Sequence, residues 1–259
     1  MGVYSSVSRQ GQYEPFELQV ARGQIDAHKA LFKFGINGDV GTSVETVWAQ
    51  GGTYAYPAAA TVMKISSSSA DDASAGTGAR SIAIFGLDAN YNEISESVLL
   101  DGQTAVNTGN SYLRISRMYV TTAGSGATAA GTIYAGTGTV TSGVPATVYG
   151  MITLTANQTQ MAFWTVPAGY TLYLTGLFYT SGNTNANAWT NFQLIQRPLG
   201  GVFRQQSSSR VPGNGDFVID FHTPLAFSEK TDIEVRAVAS TSPSNVSAEF
   251  EGIYIKNAD

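Results

Sequence analysis

Along most of the chain, apolar and polar positions alternate with a period of two, the pattern of strands that lay one face on a core and turn the other outward. The clearest run is residues 231–239, where Ile233, Val235, Ala237 and Ala239 fall on one side and Asp232, Glu234 and Arg236 on the other. Phe217, Ile219 and Phe221 form a second stripe, which places Asp216, Asp220 and His222 together on an outward face. The same alternation, punctuated by Gly, Asn, Ser and Pro, predicts strands at residues 61–66, 80–87, 94–100, 112–121, 147–155, 160–166, 170–179 and 189–197. Their spacing suits a sandwich or a jelly roll. No window of a dozen residues holds a helical pattern with capping signals at both ends. In the nearest contender, residues 19–34, Gly23 interrupts the middle and alternating Phe, Leu and Val residues flank both sides, so an extended arm or strands is the preferred reading.

The expected fold is therefore all-β: two antiparallel β-sandwich or jelly-roll-like domains preceded by an extended N-terminal arm. A composition shift at residues 136–147, where valine is the only large side chain, marks the expected boundary. This gives an arm over residues 1–40, a first β domain over 41–140 and a second over 147–259.

Composition narrows the function classes. Only 13% of the 259 residues are Asp, Glu, Lys or Arg, about half the ~25% of a typical soluble domain, while Gly, Ala, Ser and Thr fill 111 positions. The net charge of −5 supplies no overall basic footprint, so nucleic acid is not an expected partner. The most apolar stretch, residues 161–179, is broken by Pro167, Gly169 and Gly176, and the N-terminal residues lack the apolar run of a signal peptide, so no membrane association is expected. Between Asp101 and Asp216 there is no carboxylate, and Arg114, Arg117, Arg197, Arg204 and Arg210 are the only charged residues. A charge-poor surface rich in aromatic residues fits coverage by another subunit.

Candidate chemistry is sparse. Cysteine is absent and the two histidines, His28 and His222, lie far apart in sequence, which excludes thiolate chemistry and a His-rich zinc site. No G-x-S-x-G elbow accompanies Asp220 and His222, so they read as a solvated strand face. Residues 88–93 begin like a calcium loop, but Glu93 and Leu99 stand where that loop requires Gly and Glu; a polar hairpin turn is the better reading. Asp71 and Asp72 lie in what reads as a flexible polar loop. Gly76-Thr77-Gly78 lacks the third glycine and the helix of a dinucleotide site. No enzymatic activity, metal or cofactor is expected. Aromatic residues in loop-like surroundings, Trp48, Trp189, Tyr4 and Tyr13, are the remaining binding signal, with packing on a core or subunit interface as the alternative use.

Two stretches resemble a family of tailed-bacteriophage virion structural proteins common in marine phages. One is Val47-Trp48-Ala49-Gln50-Gly51-Gly52-Thr53-Tyr54-Ala55-Tyr56-Pro57, with Ala49 where the family pattern carries an acidic residue; the other covers residues 76–102, G-T-G-A-R through G-L-D-A-N-Y. An R-x-x-x-x-Y-V strand follows at residues 114–120, and the resemblance spans about residues 30–135. The segment V-P-A-G-Y-T-L-Y-L-T-G at residues 166–176 is similar to jelly-roll modules of phage appendages. The resemblance implies a virion location and supplies no catalytic residues. The favoured expectation is a capsid decoration, or cement, protein. It would be a homotrimer whose N-terminal arm lies across the major capsid protein, with Tyr4, Arg9, Tyr13, Phe16, Arg22 and His28 as the contacting residues. The alternative is a tail-fibre or receptor-binding protein recognising host-surface glycans through loops around residues 183–189 and 205–214, with Trp189 as the candidate glycan or interface residue.

Overall fold

The computed structural model describes residues 14–258 apart from 184, 186 and 242. One short helix, α1 (Phe16–Ala21), precedes sixteen strands among the described residues. They are β1 (His28–Val40), β2 (Glu45–Thr46), β3 (Thr61–Ser67), β4 (Ala79–Leu87), β5 (Glu93–Leu99), β6 (Val106–Tyr112), β7 (Arg114–Ala123) and β8 (Ile133–Thr141). After them come β9 (Val144–Ile152), β10 (Phe163–Thr165), β11 (Tyr170–Gly182), β12 (Trp189–Arg197), β13 (Arg204–Pro212), β14 (Asn214–Phe227), β15 (Asp232–Ala239) and β16 (Ser244–Lys256). All paired strands are antiparallel, and the all-β sandwich architecture read from the alternation is what the chain forms.

Two sandwiches result. In the larger, a sheet ordered β1-β16-β11-β14 packs on a sheet ordered β10-β15-β12-β13, with β2 added to β15. Leaving β2 aside and numbering its eight main strands in chain order, the sheets run 1-8-3-6 and 2-7-4-5, the order of a jelly roll. Its core is the inward half of the alternation: Leu172, Leu174, Phe192, Leu194, Ile233, Val235, Val246 and Phe250 are all buried. The smaller sandwich sets β6-β3-β8-β9 against β5-β4-β7 around Met63, Ile65, Ile82, Ile84, Tyr112, Met118, Ile133 and Ile152. It is inserted between β2 and β10 of the jelly roll, so the chain passes from one sandwich to the other twice.

This arrangement differs from the expected boundaries at both ends. Residues 28–40 are not an arm: β1 pairs with β16 from His28 opposite Ile255 to Asn37 opposite Val246, because Leu31 and Val40 complete the jelly-roll core. Residues 16–21 are helical rather than extended; Gly23, at φ 66°, ends the turn, its N–H reaching the Val20 carbonyl and that of Gln24 the Gln19 carbonyl. Nor do residues 136–147 separate domains. They form the β8–β9 hairpin, in which Thr141 pairs with Val144 around Ser142 and Gly143, both at positive φ (48° and 79°), the requirement of a type I′ turn. A Cβ on Gly143 would lie 1.8 Å from the Ser67 carbonyl oxygen, so the small residues that suggested a linker serve close packing instead.

Candidate functional site: the joint between the sandwiches

The two connecting segments cross, and most of the unusual side chains gather there. The outgoing connector carries Trp48 to Pro57, and a bridge between Trp48 and Met161 ties it to the returning one. Gly51 and Gly52, at φ 72° and 66°, turn the outgoing chain sharply enough for the Trp48 indole Nε1 to donate to the Gly51 carbonyl at 2.8 Å. The Glu45 carboxylate accepts the N–H groups of Gly41 and Gly52, which hold its pKa below the ordinary value against the opposing cost of burial. Trp48, Tyr54, Met161 and Phe163 then close a third apolar cluster against Tyr149 and Val148 of β9. Within it Tyr54 lies 5.1 Å from Trp48 edge-to-face and 4.0 Å from Phe163. Burial pushes the Tyr54 and Tyr56 hydroxyls far above the usual tyrosine range, so both act only as neutral hydrogen-bonding groups.

Beside this cluster is a buried ionic network that crosses from one sandwich to the other. Arg114, at the start of β7, forks onto Asp232, at the start of β15, with Nε to Oδ1 at 2.8 Å and Nη2 to Oδ2 at 3.1 Å. Its Nη1 donates to the carbonyls of Pro57 and Leu113. Asp232 also accepts from Arg197 Nη2 at 2.6 Å and from the Thr165 hydroxyl. Glu234, fully buried two residues on, accepts from Arg236, Thr46 and Tyr56. Burial works against the charge on Arg114, but the hydrogen bonds and charge of Asp232 outweigh it and hold its pKa above the ordinary value. The Tyr56 ring stacks on Arg114 and Arg197, and Phe203 on Arg197 and Arg236, at 4.6–5.0 Å. The carboxylates are taken up by these partners: the network fixes position and orientation and presents no free nucleophile.

A cleft of about 1160 Å³ lies between the β1-β16-β11-β14 sheet, where Phe32, Tyr173 and Ile253 line it, and β7, where Ser116, Arg117 and Tyr119 do. Lys33 reaches across to the Ser116 carbonyl and Arg117 returns to the Phe32 carbonyl, so the β1 and β7 edges cap each other without a shared ladder. Burial, with the Arg117 charge adding to it, pushes the Lys33 amine down to about 7.

Of the expected site residues, Phe16 and His28 come together, and Trp189 lies apart on β12. Phe16 packs edge-to-face on His28 at 5.8 Å, Arg22 pairs with Glu14, and the His28 Nδ1 lies 2.7 Å from the Asp26 carbonyl. Tyr4, Arg9 and Tyr13 lie outside the described residues. Trp189 opens β12, half-buried, with the Arg210 guanidinium 4.0 Å over its ring. Trp48 is an interior residue of the joint. Asp216, Asp220 and His222 are exposed on one face of β14 as expected, and among the described residues no group of three or more His, Asp or Glu converges as a metal set. The 88–93 turn is a hairpin closed by Asp88, which accepts from the N–H groups of Asn90 and Asn92. Asp72 is a correction: it is fully buried, not in a loose loop, and takes the N–H groups of Ala79, Ala130 and Gly131 and the Ser67 hydroxyl.

Asp232 and Glu234 are the residues that the sequence reading placed outward and the structure buries. The signal for them was present: five arginines precede them in a stretch without any acid, so an arginine buried there has to find its carboxylate elsewhere in the chain.

No protein-family model matches the chain, and no curated protein does. Among solved structures, it is similar to a chain of the infectious bursal disease virus Gx strain structure at 8% identity, with 96% of this chain and 78% of that chain aligned and a TM-score of 0.25. It is also similar to the VP2 subviral particle of infectious bursal disease virus at 9% identity, covering 90% of this chain and 77% of that one, with a TM-score of 0.19. Likenesses of this size bear on neither fold nor function.

Proposed function

We propose that this chain is a structural component of a virus particle, and specifically a decoration protein that cements a tailed-phage head shell. The observation that carries the reading is where the resemblance-bearing residues go. Trp48, Gly51, Gly52, Tyr54 and Tyr56 of the first stretch and Arg114 of the R-x-x-x-x-Y-V strand all build the joint between the sandwiches. Residues spent on locking two sandwiches into one body suit a part that bears load. The jelly roll supports the same reading by analogy alone, since that architecture serves capsid and lectin domains alike. On this reading the protein is not an enzyme and uses no cofactor; it assembles as a homotrimer and reaches the major capsid protein through the residues preceding α1, multiplying weak contacts by symmetry.

The test is co-sedimentation of the purified chain with bare shells of the major capsid protein. Saturable binding, lost when residues 1–13 are removed and with both sandwiches still folded, is the expected result. Failure to bind shells would overturn the reading, and binding to host-surface glycans instead would replace it with the fibre alternative. For that alternative Trp189 is a restricted platform, since Arg210 already covers part of its ring.

A further inference from the structure

The hydrogen-bonded ionic network of the joint carries more positive than negative charge. Arg114, Arg197 and Arg236 supply three guanidinium groups, while Asp232 and Glu234 supply two carboxylates. Asp232 is shared by two arginines, and Glu234 is taken up by Arg236. The surplus falls on Arg197. Its Nε and Nη2 both point at one Asp232 oxygen, whereas its Nη1 has no protein partner among the described residues. The guanidinium is held in place by stacking on Tyr56 at 4.7 Å and Phe203 at 4.6 Å.

Arg197 faces a cleft of about 560 Å³, and Arg114 forms part of the same wall. The remaining walls include Ala58, Ala59 and the rings of Tyr56 and Tyr91, and no carboxylate lines the cleft. A fixed guanidinium with an unused donor, whose charge its own network does not fully offset, has the geometry and the charge to donate to an oxyanion in the cleft.

We propose that this cleft is a binding site for a small oxyanion, a phosphate or a carboxylate, with Arg197 as the direct ligand and Arg114 as the buried charge behind it. Occupancy would neutralise the surplus and tighten the joint, since a ligand that binds only the folded state stabilises it. The site does not depend on the virion reading and is tested on the purified full chain.

The experiment is thermal unfolding, with isothermal titration, in sodium phosphate, sodium acetate and sodium chloride at matched ionic strength. A saturable rise in Tm with phosphate or acetate beyond that in chloride is expected, and the arm that responds identifies the ligand's chemistry. Arg197→Gln should weaken binding at least tenfold. Ala59→Glu changes an exposed residue on the cleft wall; it should abolish the response by placing a carboxylate in the cleft, and it keeps the test decisive should Arg197→Gln fail to fold. Equal Tm shifts in all three salts, or an unchanged phosphate or acetate response in Ala59→Glu, would overturn the proposal.

Discussion

Replacing Asp232 with alanine removes the carboxylate on which the two sandwiches converge. Five hydrogen bonds go with it: two from Arg114, two from Arg197 and one from Thr165. The Arg197 side chain is 28% exposed and regains water, but that of Arg114 is only 9% exposed and is left as a buried charge beside carbonyl oxygens. Removing one partner of a buried ion pair costs about 3–5 kcal/mol, most of it the stranded charge. For a chain of this size ~1 kcal/mol moves Tm by about 2–4 °C, so a fall of roughly 6–20 °C is expected. Arg114→Met should cost less, since Asp232 then keeps Arg197 and Thr165. Combining Arg114→Met with Asp232→Leu should recover part of the loss, because no buried charge is stranded in the interior. Scanning calorimetry reads all three, and Asp232→Ala is also expected to split a single transition into two as the sandwiches uncouple. The reasoning fails if Asp232→Ala lowers Tm by less than about 3 °C, or costs no more than Arg114→Met.

Lys33 sets a pH dependence of definite sign. Its amine titrates near 7 in the folded protein and near the ordinary lysine value of 10.5 when unfolded, so between these values the unfolded chain binds the extra proton. Relative to Lys33→Met, the wild type should therefore gain about 1.4 kcal/mol per pH unit between pH 7 and about 10.5 and show no further change outside that window; parallel urea-denaturation profiles for the two proteins would contradict this. Asp72→Ala strands the buried backbone N–H groups of Ala79 and Gly131, at about 1–3 kcal/mol each, and frees the partly buried one of Ala130; it should lower the denaturation midpoint of the smaller sandwich sharply, whereas a change within ~0.5 kcal/mol would refute its role as the organiser of that end. Gly143→Ala meets both a positive φ and the Ser67 carbonyl; loss of hydrogen-exchange protection along β8 and β9 is expected, and unchanged protection would show that the hairpin yields at no cost.

Where a strand carries large alternating side chains, the sequence announces it. The stripe from Ile233 to Ala239 lies in the jelly-roll core, and β12 occupies Trp189–Arg197, the interval its pattern predicts. Strands built from small or polar residues were not legible. β8 buries mainly Ile133, Ala135 and Gly136, and β13 is a largely exposed strand at the edge of its sheet, so neither needs an alternating stripe of large apolar side chains. Topology was hidden for a different reason. Pairing of β1 with β16 joins opposite ends of the chain, and no local pattern reports a contact of that separation. The joint was half legible: its aromatic and glycine residues stood out as a motif, but Asp232 and Glu234 occupy the polar phase of an alternating strand, which looks the same whether it faces water or a second sandwich.

The measurement that bears most directly on the proposed role is the copy number of this chain in purified particles, taken by quantitative mass spectrometry against the major capsid protein. A shell-cementing protein is present in hundreds of copies, in fixed proportion to the capsid subunit. A few to a few dozen copies per particle would contradict that role and move the protein to the tail.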